Sequence, residues 1–318
     1  MSFWSNKKVT VTGGAGFLGR HVVSRLENLG AEVFVPRRRD YNFVSPDSCF
    51  RCLAEHPSDI IIHGAAYYGG LGINLEEPGR IFYENLVMGA HLMEAARLHR
   101  VEKFITIGTA CGYPGYLQGD LKEEELWSGP LHDTVVHYGL TKKIMSVQGV
   151  AYKKQYGFNS IHLIPTNMYG PYDCYNPKRS HVVAALVRRF VEACLDNASE
   201  VTCWGTGKAI REFLYVEDAA EGIIRAAERY DNTDMALNLG TGRDTAIKEL
   251  TDRVCEGTGY KGKINWDHTK ADGTARKVLD VTLMKSALDW TPPTALKEGL
   301  CKTIEWYQNN KEYADAQF

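Results

Sequence analysis

The chain has 318 residues, of which 44% are hydrophobic and 24% charged, and its net charge is −2. This composition is typical of a soluble globular protein, and the near-neutral charge predicts no binding to nucleic acid or to a membrane surface. No apolar run approaches the roughly 18–20 residues of a membrane-spanning helix, and the polar N-terminus lacks a secretory h-region. We therefore expect a cytoplasmic protein with eight free thiols, including the C-x-x-C pair Cys49 and Cys52, and no metal site.

Strand-like and helix-like segments alternate along the first half of the chain. Apolar or β-branched runs predict strands at 7–12, 31–35, 59–66, 103–110 and 159–171. Apolar residues at helical spacing predict helices at 21–30, 81–99 and 138–157. Regular alternation of this kind indicates βαβ units, so the predicted fold is α/β, a Rossmann-type doubly wound parallel sheet.

The pattern changes after Pro171. A polar loop precedes a predicted helix at 180–195, and the segment 201–223 predicts a strand, a turn, a strand and a helix. We expect residues 1–172 to form a dinucleotide-binding domain that also includes residues 213–240. Residues 173–318 should form a smaller C-terminal lobe that binds substrate and closes over the cofactor.

A glycine motif joins the first predicted strand to the first helix. Gly13 would allow a tight turn, Gly16 would let the backbone approach a phosphate, and Gly19 would let the helix pack closely. Phe17 and Leu18 begin the helix, whose free N–H groups and dipole favour a negatively charged pyrophosphate. The alternative is a tight strand–helix turn without a ligand. The surrounding βαβ pattern favours the dinucleotide.

The second predicted strand is followed by VFVPRRRD, without the acidic residue that usually binds the ribose of NAD. Arg37 and Arg38 could instead bind a 2′-phosphate through charge-assisted hydrogen bonds. The sequence therefore favours NADP(H), although a solvated basic loop would have the same composition.

Three side chains suit hydride chemistry. Tyr138 and Lys142 are four residues apart, so one helix face presents both. Lys142 can bind the ribose and stabilise a tyrosinate, and Tyr138 can exchange a proton with a substrate oxygen. Thr109 ends a predicted strand, where ligands bind in a parallel sheet, and its hydroxyl can contact the same oxygen.

These features together resemble the extended short-chain dehydrogenase/reductases. GTACGYP, PTNMYGP, NPKRSHV, WGTGKAIREFLYVED and ADGTARKVLDV further resemble, in the same order, segments of the GDP-L-fucose synthases. The resemblance spans nearly the whole chain. It implies 3,5-epimerisation and NADPH-dependent 4-reduction of a GDP-4-keto-6-deoxy-hexose, in a homodimer paired through two long helices.

The resemblance also assigns roles to individual residues. It implies that Cys111 is the base and His181 the acid of epimerisation, a chemically sensible pair. Further cofactor contacts are implied at Pro165, Asn167, Met168 and His181. Substrate contacts are implied at Arg189, Trp204, Arg211 and Asp272.

Several residues differ from the family pattern near the expected sugar site: Thr109, Ala110, Gly112, Tyr67 and Tyr68. They leave the chemistry intact but widen the choice of sugar to other deoxysugars or a heptose. The alternatives are a GDP-sugar 3,5-epimerase that retains its hydride, a related epimerase/reductase, a sugar dehydratase, and a non-enzymatic NADP(H)-binding protein. A dehydratase would have an acid at the position of Ala110, and a non-enzymatic relative often loses the tyrosine or the lysine.

Overall fold

The computed structural model describes residues 2–69, 71–270 and 272–316. Its strands are β1 (Lys8–Thr12), β2 (Glu32–Phe34), β3 (Ile60–His63), β4 (Lys103–Ile107), β5 (Ser160–Pro165), β6 (Asn167–Tyr169), β7 (Glu200–Trp204), β8 (Ile210–Arg211), β9 (Phe213–Tyr215), β10 (Leu237–Leu239), β11 (Thr245–Ala246), β12 (Lys263–Asp267) and β13 (Arg276–Lys277).

The α-helices are α1 (Phe17–Asn28), α2 (Pro46–Glu55), α3 (Leu71–Glu76), α4 (Pro78–Leu98), α5 (Val136–Tyr156), α6 (Val182–Leu195), α7 (Val216–Arg229), α8 (Ile247–Thr258), α9 (Thr282–Leu288), α10 (Leu296–Asn309) and α11 (Lys311–Ala316). Short 3₁₀ helices span Ala110–Gly112 and Glu123–Trp127. None of the helices in the described part of the chain is long and apolar enough to cross a membrane.

Six parallel strands form the central sheet in the order β10-β5-β4-β3-β1-β2. Side chains alternate between its two faces, so each strand contributes to two cores. One core lies between the sheet and α1, α7 and α9, and the other between the sheet and α2, α4 and α5. Burial on both faces explains the continuous apolar strand sequences, and the predicted Rossmann-type fold is confirmed.

The predicted strand at 159–171 is wrong as a single element. β5 ends at Pro165, and β6 leaves the central sheet to pair with β9. Proline has no N–H to continue a hydrogen-bond ladder, and Thr166 instead donates its N–H to Leu239. The break lets one continuous segment pass from the large sheet into the smaller lobe. Helices α2 and α3 were not predicted.

After β9 the chain returns to the central sheet, where α7 packs beside α1 and β10 extends the sheet beyond β5. A third core, built by α6, α8, α10 and β7, fills the smaller lobe. A lobe boundary at residue 172 remains a prediction.

All eight cysteines are unpaired. Cys49 and Cys52 lie fully buried on α2, and burial raises the pKa of each thiol to about 12. Such thiols stay protonated and unreactive at neutral pH. No metal-binding group of His, Cys, Asp or Glu occurs among the described residues.

A buried lysine links α7 to the central sheet through hydrogen bonds. Lys103, at the start of β4, donates to the carbonyl oxygens of Ala227 and Tyr230 and to the Asp231 carboxylate, each at 2.7 Å. These acceptors lie at the C-terminal end of α7, where helix carbonyls lack intrahelical partners. One ammonium group therefore donates hydrogen bonds both to the carbonyl oxygens at this helix end and to a carboxylate.

We predict that Lys103→Met lowers the free energy of unfolding by about 2–4 kcal/mol, because it leaves buried acceptors unpaired. Lys153→Met is the matched control. Its ion pair with Asp234, at 3.3 Å, is exposed and worth less than about 1 kcal/mol. Urea denaturation of both variants measures the difference. Equal losses of stability would show that the Lys103 contacts contribute no more than a surface pair.

Candidate active site

The glycine turn between β1 and α1 is tightly packed. Gly13 has a φ of +72°, and a Cβ there would lie 2.9 Å from the backbone nitrogen of Ala65. A Cβ on Gly19 would lie only 2.1 Å from the carbonyl oxygen of Gly13. The fold itself therefore requires glycine at both positions.

Gly16 differs from the other two glycines. It is exposed, and a Cβ there would meet only the Gly13 carbonyl oxygen, at 3.2 Å. Gly16 is also the N-cap of α1, which has no side-chain cap in the described structure. An open helix N-terminus that begins with Phe17 and Leu18 is a suitable donor set for a pyrophosphate, so the residues present fit a dinucleotide.

The basic segment after β2 is exposed at Arg37, Arg38 and Arg39. Arg38 forms an ion pair with Glu84 of α4 at 3.2 Å, and Arg39 contacts Asp40 at 3.5 Å. The three guanidinium groups project from the loop after the edge strand of the sheet. Arg37 and Arg38 therefore remain candidates for binding a 2′-phosphate.

Thr109 and Cys111 occupy the turn that follows β4. The Thr109 side-chain oxygen accepts the N–H of Cys111 at 3.2 Å and caps the 3₁₀ helix Ala110–Gly112. This turn packs directly on α5, because a Cβ on Gly139 would lie 2.4 Å from the carbonyl oxygen of Cys111. The close approach places Cys111 beside Tyr138, the residue before Gly139.

Tyr138 and Lys142 are both on α5, one helical turn apart. Burial raises the pKa of the Tyr138 phenol, with smaller contributions from Cys111 and Tyr68. Burial lowers the pKa of the Lys142 ammonium to about 8. Each charged form is therefore destabilised alone, and a tyrosinate and an ammonium would stabilise each other in this dry environment.

Lys277 is a site residue that the sequence analysis missed. Its Nζ lies 3.9 Å from the Cys111 sulfur, within hydrogen-bond distance of a sulfur acceptor. Lys277 is on β13, which pairs with β8 and so lies beside Arg211. Its place in ADGTARKVLDV was the available signal, but only the fold brings it to Cys111.

His181 is the N-cap of α6, and its exposed ring is parallel to that of Tyr68, with centroids 6.3 Å apart. Tyr68 also contributes to the raised pKa of the Tyr138 phenol. The Tyr68 ring is therefore near both the predicted epimerisation acid and the predicted proton donor of reduction. This position makes Tyr68 a candidate wall of the sugar site.

The predicted substrate residues gather near β7 and β8. Arg211 donates to the carbonyl oxygen of Asp272 at 3.3 Å, and the Asp272 carboxylate accepts from Thr206 at 2.5 and 2.7 Å. Trp204, at the end of β7, is 64% exposed, and Lys270 Nζ lies over its ring, 5.7 Å from the centroid. Arg189 lies on α6 and donates to the carbonyl oxygen of Thr202 at 2.8 Å.

The remaining predicted cofactor residues lie at the break between β5 and β6. Pro165 is buried, whereas Asn167 and Met168 are half-buried. The Asn167 amide donates to the backbone carbonyl of Glu212 at 2.9 Å, which fixes the segment. These residues follow the carboxyl end of a central strand, where ligands of doubly wound sheets bind.

Residues 9–240 match the NAD dependent epimerase/dehydratase family. The chain is 36% identical to probable GDP-L-fucose synthase 1 of Oryza sativa subsp. japonica, covering 97% of this chain and 95% of that protein. It is 35% identical to GDP-L-fucose synthase of Escherichia coli (strain K12), covering 97% and 98%. The solved GDP-mannoheptose C4 reductase from Campylobacter jejuni with NADP bound has 27% identity and a TM-score of 0.86, covering 95% of this chain and 98% of that chain.

The glycine geometry predicts different outcomes for two variants. Gly19→Ala forces its Cβ into the Gly13 carbonyl and should destabilise the fold by about 3 kcal/mol. Gly16→Ala should leave the melting temperature nearly unchanged but weaken NADPH binding about tenfold, because the new methyl group covers the open helix end. Thermal unfolding and fluorescence titration with NADPH measure the two effects. Unchanged NADPH affinity of Gly16→Ala would place the pyrophosphate elsewhere.

Proposed function

The chain belongs to the NAD dependent epimerase/dehydratase family and, within it, to the GDP-L-fucose synthases, and we propose that it epimerises and reduces a GDP-4-keto-6-deoxy-hexose with NADPH. The observation that carries the proposal is the position of Cys111. Its backbone packs on α5 beside Tyr138, and its sulfur lies 3.9 Å from Lys277. The proposal thus assigns a base for carbon acids and a proton donor for reduction to one site.

Epimerisation requires removal of a proton next to the ketone and its return on the opposite face. Cys111, with the Lys277 ammonium beside its sulfur, acts as the base that takes a proton from C3 or C5 of the sugar. His181 donates a proton to the same carbon from the other side. The Thr109 hydroxyl and the Tyr138 phenol bind the carbonyl oxygen at C4, where negative charge accumulates in the enolate.

Reduction then takes place at C4. Bound NADPH would supply the hydride for this step. Tyr138 gives its phenolic proton to the C4 oxygen, and the tyrosinate that remains is stabilised by the Lys142 ammonium. The proton on Tyr138 is restored from solvent before the next turnover.

The nucleotide end of the substrate would lie against the smaller lobe. Arg189 and Arg211 suit a diphosphate, since guanidinium groups form paired charge-assisted hydrogen bonds with phosphate oxygens. The exposed face of Trp204 suits stacking against the guanine ring. Asp272 would hold this arrangement through its contacts with Thr206.

We also propose that the protein is a cytoplasmic homodimer paired through α4 and α5. Both helices pack on the central sheet yet carry exposed apolar side chains, with Tyr83 58%, Ile144 38% and Val147 48% exposed. Two such helices from each subunit would form a four-helix interface and cover these side chains.

A second candidate is a GDP-heptose epimerase or C4 reductase. The position of Tyr68, stacked against His181 and near enough to Tyr138 to raise the pKa of its phenol, favours it, because this ring would contact the carbon substituents next to C4. The Campylobacter jejuni structure supports the same alternative. Comparing GDP-4-keto-6-deoxy-mannose with a GDP-4-keto-heptose in the same assay separates the two.

The two half-reactions predict separable variants. In deuterated water with NADPH and GDP-4-keto-6-deoxy-mannose, Cys111→Ser should slow deuterium entry at C3 and C5 about 10²-fold or more while some direct reduction continues. Tyr138→Phe should slow NADPH oxidation about 10²-fold or more but still allow deuterium entry. NMR follows the deuterium, and absorbance follows NADPH. Wild-type deuterium exchange in Cys111→Ser would assign the base to another residue.

The arginine assignment predicts altered cofactor preference. Arg37→Ala and Arg38→Ala should each raise the Kd for NADPH roughly tenfold, with that for NADH unchanged, because only NADPH carries the 2′-phosphate. Arg39→Ala is the matched control, since its side chain is 85% exposed and contacts Asp40. Equal effects on the two cofactors would contradict the assignment.

A further inference from the structure

A row of alternating threonine and histidine side chains crosses the central sheet. Thr12, His63, Thr106 and His162 pair in register on β1, β3, β4 and β5, and all four are buried. Aligned residues of a parallel sheet point to the same face. The proposed epimerisation and reduction use none of these side chains.

The row lies on the sheet face that packs against α5. Gly149 of α5 fixes the contact, because a Cβ there would lie 2.3 Å from the Ser160 hydroxyl of β5. The crossover helix runs antiparallel to the strands. Lys142 is seven residues back along it, about 10 Å, and His162 is two residues beyond Ser160, about 7 Å in the same direction. Lys142 thus lies above the row, toward His162.

The hydrogen bonds of Thr106 determine the state of the His162 ring. Its hydroxyl donates to the carbonyl oxygen of Ile161 at 3.1 Å and therefore accepts from His162 Nδ1, at 2.7 Å. A neutral imidazole with its proton on Nδ1 has a free lone pair on Nε2. Burial, together with the charge on Lys142, lowers the pKa of His162 to about 3, so the ring stays neutral.

The Nε2 atom of His162 is the part of the ring nearest the active-site edge. It lies 2.5 Å from the position that a Cβ on Gly108 would occupy, directly before Thr109. No hydrogen bond reaches this atom from residues 2–69, 71–270 or 272–316. Lys142, a buried residue, likewise makes no side-chain hydrogen bond to the described residues. Neither His162 Nε2 nor Lys142 Nζ is among the fully buried unpaired atoms of the described residues, so each is accessible to a water molecule in the same region.

We propose that His162 is a positioning residue for Lys142, stabilising its ammonium with a neutral acceptor through one bridging water. A carboxylate in this position would neutralise the ammonium. A neutral imidazole orients Lys142 and leaves its full charge for the Tyr138 tyrosinate. His63, held by Thr12 at 2.8 Å on the other side of Thr106, is the second imidazole that Lys142 faces. This inference rests on the proposed function only because that function uses the Lys142 ammonium to stabilise the Tyr138 tyrosinate.

The first test leaves the histidine intact and needs no substrate. ¹⁵N NMR of protein with labelled histidines should show His162 in the neutral Nδ1–H form, and Lys142→Met should shift its Nε2 resonance by several ppm. The exposed His137 on α5 is the internal control and should not move. An Nε2–H form, or an Nε2 resonance indifferent to Lys142→Met, would overturn the proposal.

The second test uses the reaction. His162→Leu should lower kcat for NADPH oxidation about tenfold, while deuterium exchange by Cys111 is kept. His162→Gln should restore most of the loss, because its amide oxygen can replace Nε2 as the acceptor. If His162→Leu slowed NADPH oxidation and deuterium exchange equally, and His162→Gln did not restore the rate, His162 would have only a packing role. A wild-type protein that oxidises no NADPH would contradict the proposed function, and the NMR result would still test the role of His162.

Discussion

The buried carboxylate of Glu212 is the contact on which the arrangement of the two lobes depends. It is fully buried and accepts the backbone N–H groups of Thr241, of Gly242 at 2.7 Å and of Leu279 at 2.8 Å. A buried carboxylate without donors costs several kcal/mol, so the structure requires all three segments to be in place. One side chain thus fixes the loop after β10 and the segment after β13 to the chain between β8 and β9.

This anchor has direct consequences for the site. Arg211 immediately precedes Glu212 in the chain. Lys277 lies two residues before Leu279, on β13, which pairs with the strand of Arg211. The backbone carbonyl of Glu212 holds Asn167 at the break between β5 and β6. Groups that meet the nucleotide, the sugar and the cofactor in the proposed function are therefore placed by one residue, through its carboxylate and its backbone carbonyl. Gly240 makes room for it, because a Cβ there would lie 2.2 Å from Glu212 Oε1.

Local signals allowed the sequence to predict the dinucleotide end of the molecule. The glycine turn, the continuous apolar strands and the helical spacing of Tyr138 and Lys142 are each encoded within a few residues. Contacts made across the fold were not predictable in this way. Lys277 approaches Cys111 from 166 positions away, and Lys103 meets its acceptors at 124 positions or more. The row that contains His162 depends on the register of the strands. The strand break at Pro165 depends on the different strands with which β5 and β6 pair.

The return of the chain to the central sheet also constrains how the protein can be made. β5 pairs with β10, so its outer edge has no partner until residues 237–239 have been synthesised. Until then a growing chain presents an open, apolar strand edge, the kind of surface that pairs with other chains. The ammonium group of Lys103 likewise lacks its acceptors until residues 227–231 have been synthesised. Folding on the ribosome can therefore begin with the glycine turn but can be completed only after about three quarters of the chain has emerged, which makes the interval between β5 and β10 the period of greatest exposure to aggregation and chaperone capture.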